Sequence, residues 1–161
     1  MKNLINIFFC IFFLIISLSY CKKKPRQTFP DNSSPNNMLL LNAAEDGNTV
    51  VIKQLIKYGA NINYQDDDGW TALMFASANR NYDVIKLLLE NKVKINIQSK
   101  AGKSALIISI EAGDVNSVKL LIANNADINL KTVEGLTALK YAILNRNTEI
   151  EQILRNAGAM D

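Results

Sequence analysis

The sequence predicts an all-α repeat solenoid of four stacked helix–turn–helix units with projecting β-hairpin loops. The phrase Gly-Trp-Thr-Ala-Leu at residues 69–73 returns, with substitutions, at residues 102–106 and 135–139, so its period is 33 residues. Residues 36–40 carry a degenerate copy one period earlier. A fixed period of about 20 to 50 residues is typical of stacked repeat arrays. We therefore expect units at residues 36–68, 69–101, 102–134 and 135–161.

Residues 1–20 are predicted to be a signal peptide. Lys2 gives a short positive start, and residues 4–18 form an almost wholly apolar run of 15 residues. This run is shorter than the ~20 residues that cross a bilayer as a helix. It matches the apolar region of a signal peptide better. An uncleaved anchor helix is the alternative interpretation.

Residues 18–21 (Leu-Ser-Tyr-Cys) resemble the lipobox of bacterial lipoproteins, in which an apolar residue stands three positions before a cysteine. The resemblance implies cleavage before Cys21, lipid attachment to Cys21, and a place in the cell envelope at its periplasmic or outer face. Tyr20 departs from the pattern, because a small residue is usual there. The alternative is cleavage after Ser19, which would release a soluble periplasmic or secreted protein with an unpaired Cys21.

Residues 21–35 are expected to be a flexible tether between the membrane and the array. They contain all three prolines of the chain and a basic cluster at residues 22–26. A segment of this composition cannot bury a core of its own. More than one acyl chain on Cys21 would make the membrane anchoring stable.

Each unit is expected to contain a short helix followed by a longer one, as residues 69–101 illustrate. Thr71 is a candidate N-cap, because its hydroxyl can accept a hydrogen bond from the first turn. Residues 72–78 are predicted to form the short helix. Residues 83–90 have the broad apolar face of a second helix, and the chain then returns through a loop to Gly102.

These units resemble ankyrin repeats. The family phrase runs roughly G-x-T-P-L-H-L-A-A-x-x-G-x-x-x-I-V-x-x-L-L-x-x-G-A-D-V-N, and its last part is matched at residues 59–63 (Gly-Ala-Asn-Ile-Asn) and 126–129 (Ala-Asp-Ile-Asn). The resemblance covers residues 36–161. It implies a non-catalytic protein-binding scaffold that presents its hairpin tips and its short inner helices as a concave surface.

Several departures from the family phrase predict a less stable array than a consensus one. Its proline is replaced by Ala72, Ala105 and Ala138, and its histidine by Met74, Ile107 and Lys140. The glycine that closes the second helix is kept as Gly59 and Gly158 but replaced by Lys92 and Asn125. Asparagine tolerates the left-handed conformation expected there, whereas lysine tolerates it less well.

The first and last units are expected to be caps, because polar residues replace apolar ones in them. Asn42 stands one period before an aromatic residue, and Glu151 and Arg155 stand where earlier units have aliphatic residues. A terminal repeat has a neighbour on one side only, so its outer face must be polar. We therefore expect these four units to form the whole folded array, which is enough for stability.

The sequence offers little catalytic chemistry. It has no histidine, and its only cysteines are Cys10 and Cys21. The acidic residues 66–68 lack the further oxygen ligands of a calcium loop, so we expect a solvated hairpin tip. From residue 36 onward there are 13 basic and 14 acidic residues, which does not favour a nucleic-acid surface. We expect no metal, no cofactor and no enzymatic activity.

Protein binding is the function that the resemblance implies, with an unidentified partner and a monomeric scaffold. Trp70 is the foremost contact candidate, because it is the only tryptophan and tryptophan often dominates interface energies. Local packing of Trp70 is the alternative. The family's contact positions at the hairpin tips fall on Asp67, Asp68, Trp70, Lys100, Lys103, Glu134 and Leu136, and those at the inner-helix ends on Asn79, Glu111 and Asn145.

Three other functions stay open at this point. One is a soluble periplasmic protein that protects or regulates an enzyme. Another is a surface or released factor that binds host proteins. The third is a cryptic enzyme, for which no residue pattern argues.

Overall fold

The computed structural model describes residues 35–160 of the 161-residue chain. The predicted signal peptide, Cys21 and all of the predicted tether except Pro35 lie outside the described residues. Between residues 35 and 160 there are eight α-helices and no β-strand. The helices are α1 Pro35–Glu45, α2 Thr49–Lys57, α3 Ala72–Ala78, α4 Tyr82–Glu90, α5 Ala105–Ala112, α6 Val115–Ala123, α7 Ala138–Leu144 and α8 Thr148–Asn156.

The helices form two layers. The odd-numbered inner helices pack side by side in chain order, and so do the even-numbered outer helices; each inner helix also packs on the outer helix that follows it. This arrangement confirms the predicted all-α repeat solenoid. None of the helices described is both long enough and apolar enough to span a bilayer.

The hydroxyl residue before α3, α5 and α7 starts each of these helices. The side chain of Thr71 accepts a hydrogen bond from the backbone nitrogen of Met74 at 3.3 Å, which confirms its predicted N-cap role. Ser104 and Thr137 cap α5 and α7 in the same way. Each cap satisfies a backbone donor that the helix itself leaves unpaired. Helix α1 begins instead with Pro35, whose fixed φ suits a first helical position.

Asn81 does not cap α4 with its side chain, although asparagine or aspartate caps the other outer helices. Its amide instead donates to the carbonyl oxygens of Ala44 and Glu45, at 2.9 and 2.8 Å. The second unit is thereby joined to the end of α1. Helix α4 begins at Tyr82, one residue before the predicted start.

Left-handed residues follow both helices of every unit. After the outer helices they are Gly59, Lys92, Asn125 and Gly158, with φ of 85°, 58°, 64° and 93°. The left-handed conformation predicted for these four positions is confirmed. After the inner helices they are Gly47, Arg80, Gly113 and Arg146, with φ of 74°, 57°, 69° and 54°. Arg80 and Arg146 adopt this conformation although they carry a Cβ atom, and the sequence analysis made no prediction for them.

The core is continuous from unit to unit because the same periodic positions are buried. Leu40, Leu73, Leu106 and Leu139 form one such row, and all are at most 1% exposed. Several polar side chains are also buried, and two of them stand out. The hydroxyls of Ser77 and Ser109 are fully buried and have no hydrogen-bond partner among the described residues.

The predicted cap residues face outward to different degrees. Asn42 and Arg155 are exposed. Glu151 is half-buried, and its carboxylate accepts a hydrogen bond from Nε of Arg155 at 3.0 Å. The residue one period earlier, Val118, is fully buried, so the charged pair replaces an apolar contact at this end of the array.

Candidate functional site

Three similar hairpins connect the units: hairpin 1 at residues 65–70, hairpin 2 at 98–103 and hairpin 3 at 131–136. In hairpin 1 the backbone nitrogen of Gly69 donates to the carbonyl of Asp66 at 2.9 Å, and that of Asp66 to Trp70 at 3.0 Å. Hairpins 2 and 3 repeat both bonds one and two periods later. Each tip is therefore a closed β-turn with a glycine at its last position, where φ is positive.

Backbone hydrogen bonds join successive hairpins. The nitrogen of Lys100 donates to the carbonyl of Asp68 at 2.9 Å, and the nitrogen of Val133 donates to the carbonyl of Ala101 at 3.1 Å. The tips thus form a ladder with one bond for each pair of neighbours. Both bonds join backbone atoms, so they do not depend on the side chains of the residues that form them.

Two glutamines strengthen the same ladder. The side-chain amide of Gln65 donates to the carbonyls of Gly69 and Gln98, at 2.9 and 3.2 Å. The amide of Gln98 donates to those of Gly102 and Lys131, at 2.6 and 2.9 Å. Neither glutamine was predicted as a site residue, although a glutamine recurs there after 33 residues.

The predicted tip residues Asp67, Asp68, Lys100 and Glu134 are all exposed. Asp66 has a structural role, because its Oδ1 accepts from the nitrogens of Asp68 and Trp70 at 3.0 and 2.7 Å. Nowhere between residues 35 and 160 do three His, Cys, Asp or Glu residues form a group that could hold a metal ion. The acidic tip is a charged, solvated surface.

Trp70 is half-buried and lies against Phe75 of its own unit. The two ring centroids are 5.1 Å apart, and the ring planes are tilted by 50°. Tilted aromatic pairs at this distance are favourable. The indole is thus held in one place by packing within its own unit, while part of it faces solvent. Its role as a contact residue stays a prediction.

Lys103 and Glu111 form an ion pair along α5. The lysine Nζ lies 2.6 Å from Oε1 of Glu111 and 5.7 Å from the ring centroid of Tyr141 on the next inner helix. The hydrogen bond to Glu111 raises the pKa of Lys103 above its ordinary value of 10.5, and partial burial opposes this effect. The charge of Glu111, Tyr141 and the charge of Glu134 raise it further. Lys103 therefore stays protonated at neutral pH.

The asparagines at the inner-helix ends also have structural partners. The side-chain amide of Asn79 donates to the carbonyl of Phe75 at 3.0 Å, and that of Asn145 to the carbonyl of Ile110 at 3.5 Å. Both residues are exposed, and the neighbouring Leu144 is 59% exposed. This end of the inner layer carries amides and the apolar side chains of Ala78 and Leu144 at its surface.

The predicted residues fall on two adjoining surfaces. We call the exposed ends of the hairpins the tip surface; it contains Asp67, Asp68, Lys100 and Glu134. We call the side chains of the inner helices, together with the last residue of each hairpin, the inner surface; it contains Trp70, Phe75, Asn79, Lys103, Glu111, Leu136, Tyr141 and Asn145. Of these predicted residues, Lys103 and Glu111 are brought into direct contact. Tyr141 was missed as a site residue, because its role depends on the stacking of the fourth unit on the third.

The arrangement of the inner surface suits recognition. Its middle is a neutralised ion pair, and on either side lie an aromatic pair and the half-buried Leu136 and Tyr141. Aromatic and apolar side chains with a few fixed polar groups are typical of protein-binding surfaces.

Comparison with known protein families agrees with this geometry. A family model of ankyrin repeats in three copies matches residues 10–99 and again residues 91–160. The first match begins before the described residues. No curated protein shows significant similarity to this chain. The two matches together cover most of the sequence, and the chain therefore belongs to the ankyrin repeat family.

Proposed function

We propose that this chain is an exported, lipid-anchored and non-catalytic scaffold that binds a protein partner with its inner surface and hairpin tips. Ankyrin repeats generally mediate protein–protein interactions and are typically not catalytic. The export, the anchor at Cys21 and the binding residues are the parts that this proposal adds. A monomeric scaffold in the cell envelope follows from the same interpretation.

The observation that carries the proposal is the half-buried Trp70 held against Phe75 of α3, with the paired charges of Lys103 and Glu111 along the neighbouring inner helix α5. Side chains that are already ordered lose little conformational freedom on binding, so more of the contact energy becomes affinity. Tryptophan in such a position is typical of residues that dominate interface energies. The neutralised ion pair lowers the electrostatic cost of covering this surface with a partner.

Site-specific photo-crosslinking would test the binding surface. A photoreactive residue is placed at Ala78 or Leu144, which are exposed at the ends of inner helices, or at Lys86 or Gln152, which are exposed on outer helices. We expect the same crosslinked partner from both inner positions, and none from the outer ones. The Trp70→Ala variant should weaken the crosslink. Equal crosslinking from both layers would contradict the proposed surface.

A second experiment tests the anchor. The intact mass of the protein is measured after detergent extraction, beside that of a Cys21→Ala variant. A chain that starts at Cys21 and carries acyl groups, absent from the variant, is the expected result. A chain that starts at Tyr20 without lipid would contradict the anchor and favour a soluble protein that protects or regulates an enzyme.

The side of the envelope on which the array lies separates the remaining alternatives. Protease treatment of intact cells should leave the array uncut if it faces the periplasm, and should cut it if it is displayed at the outer face. Cleavage on intact cells would favour a surface factor that binds host proteins.

A further inference from the structure

The inner surface changes its chemistry from unit to unit, as three rows of equivalent residues show. The row at the ends of the inner helices is fully exposed and consists of Glu45, Ala78, Glu111 and Leu144. The row through the middle of these helices consists of Asn42, Phe75, Ile108 and Tyr141. The row at the last hairpin residues consists of Trp70, Lys103 and Leu136. The second and fourth units are therefore apolar in every row to which they contribute.

The third unit covers its own apolar residue with an ion pair. Lys103 precedes α5 and Glu111 lies in its last turn, so the contact of 2.6 Å between their charged groups spans the helix past Ile108. Ile108 is 3% exposed, whereas the equivalent Phe75 and Tyr141 are half-buried. The middle of the inner surface is thus polar, and it separates two apolar patches. The second-unit patch is Trp70, Phe75 and Ala78, and the fourth-unit patch is Leu136, Tyr141 and Leu144.

The first unit gives the same surface an acidic region. Glu45 and Asp46 lie at the end of α1, and both are exposed. Neither of them forms an ion pair within residues 35–160. A cationic side chain of a partner would be complementary to this region.

The spacing of the two apolar patches suits one face of a helix. Packed helices lie about 10 Å apart, so patches that are two units apart are separated by about 20 Å. An α-helix rises about 1.5 Å per residue, and about 14 residues therefore span this distance in four turns. Residues one or two heptads apart lie on nearly the same face of a helix. One heptad of a helix that crosses the array thus corresponds to one unit.

An extended segment is a poorer occupant of this surface. Its backbone donors and acceptors would be covered without partners, because the inner helices pair their own backbone groups and no β-strand lies between residues 35 and 160. Segments that bind in an extended form add to an exposed strand. A helix has already made its backbone hydrogen bonds when it binds.

A helix of a second copy of this chain is also a poor occupant. The longest helix between residues 35 and 160 is α1, with 11 residues. A helix of that length spans about 16 Å and does not reach both patches.

We propose that the inner surface binds an amphipathic α-helix of the protein partner, which crosses the inner helices with one heptad on each unit. Two apolar positions of that helix, 14 residues apart by the spacing above, contact the second-unit and fourth-unit patches. An uncharged polar position between them faces the ion pair of Lys103 and Glu111. A lysine or arginine one heptad beyond the first apolar position faces Glu45 and Asp46. The inference rests on the proposed binding function and names the kind of partner segment.

The test uses fluorescently labelled helical peptides of about 30 residues, rich in alanine and glutamine, and the full chain. The matching peptide has two leucine pairs two heptads apart and an arginine pair one heptad before the first of them. The control peptide has the same composition with the leucine pairs one heptad apart. It must place leucines against the ion pair, so we expect it to bind about tenfold more weakly in fluorescence anisotropy.

Variants of the protein locate the binding helix. Leu144→Gln should weaken binding of the matching peptide about tenfold, because an exposed anchor of the fourth-unit patch is lost. The matched control is Val50→Gln on the outer helix α2, where Val50 is 65% exposed, and it should leave binding unchanged. Glu45→Lys should weaken binding about threefold. A peptide with glutamates in place of the arginines should bind Glu45→Lys better than it binds the wild-type chain.

Several results would overturn the proposal. They are no binding of the matching peptide at about 1 mM, equal binding of the control peptide, and equal weakening by Val50→Gln and Leu144→Gln. Equal binding of a matching peptide with a proline between its leucine pairs would show that an extended or broken segment fits, since proline interrupts a helix. Self-association of the full chain that Leu144→Gln abolishes would show a second copy as the occupant.

The outcome is separable from that of the proposed function. Crosslinks to one partner from Ala78 and Leu144, together with no binding of the matching peptide, would refute the helix and leave the scaffold function standing. Binding of the matching peptide, together with equal crosslinking from inner and outer positions, would refute the proposed function instead.

Discussion

Removing the hydroxyl of Ser109 is expected to stabilise the fold. Ser109 lies in α5, is fully buried, and has no hydrogen-bond partner for its Oγ among the described residues. The residues at the same place in the other units, Ala43, Ala76 and Ala142, are buried alanines. An alanine therefore fits this position without a change in the backbone.

The expected gain can be estimated from two opposing effects. A buried hydroxyl without a partner costs about 1–3 kcal/mol of desolvation. The space left by one oxygen atom is smaller than a methyl-sized cavity, which costs about 1 kcal/mol. The Ser109→Ala variant should thus gain about 1 kcal/mol in free energy of unfolding, which corresponds to a rise in Tm of about 3 °C for an array of this size.

Urea unfolding of the full chain measures this gain, with circular dichroism for the helices and Trp70 fluorescence for the inner surface. Coincidence of the two transitions is needed for one free energy to describe a repeat array. The matched control is Ser104→Ala in the N-cap of the same helix. Its Oγ accepts from Ile107 at 3.4 Å, so this variant should lose about 1 kcal/mol.

The opposite signs expected for these two serines make the reasoning refutable. A loss of stability in Ser109→Ala as large as that in Ser104→Ala would mean that the buried hydroxyl has a partner, such as an internal water.

Three further predictions concern the turns, the ladder and the ion pair. Lys92→Gly should stabilise the fold by about 1 kcal/mol in thermal unfolding, because Lys92 has a φ of 58° and glycine adopts this conformation without a Cβ clash. Gln98→Ala should lose about 1–2 kcal/mol and speed amide hydrogen exchange at Val133, because two hydrogen bonds of 2.6 and 2.9 Å disappear. Glu111→Gln should lose up to about 1 kcal/mol at pH 7. Because the pKa of Lys103 is raised in the folded state, this difference should hold from pH 7 to pH 10.5 and shrink as the pH rises through the raised value.

Each of these predictions has a contrary result. A Lys92→Gly variant that melts earlier would show that the lysine side chain contributes more than its backbone costs. Unchanged exchange at Val133 would mean that the hairpins stack without the help of Gln98. A stability difference between wild type and Glu111→Gln that is flat up to pH 12 would separate the ion pair from the titration of Lys103.

The periodic part of the fold could be predicted from the sequence, because it is encoded locally. Residues 72–78 were predicted as a helix, and the structure has α3 at Ala72–Ala78. The left-handed conformation of Lys92 followed from its place where the family phrase has glycine. Both conclusions need only residue types at fixed offsets.

The remaining features depend on how units meet in space. Lys103 reaches Glu111 because hairpin 2 folds back along α5, and a spacing of eight residues has no standard side-chain rule. Tyr141 joins them only after the fourth unit stacks on the third. Arg80 takes a φ of 57° at a position held by Gly113 one period later, and its guanidinium donates to the carbonyl of Ala112 in the next unit. A contact of this kind between two units cannot be predicted from the sequence of one repeat.

The constant offset of the contacts between units has a consequence for the history of the chain. The backbone bonds from Lys100 to Asp68 and from Val133 to Ala101 join equivalent positions of successive units. A unit added by tandem duplication of residues 69–101 would therefore form the same kind of bond with both of its neighbours. Each such event would add one inner helix and widen the inner surface by about 10 Å. Unequal recombination could therefore change the size of partner that the protein accommodates while leaving the existing hairpins intact.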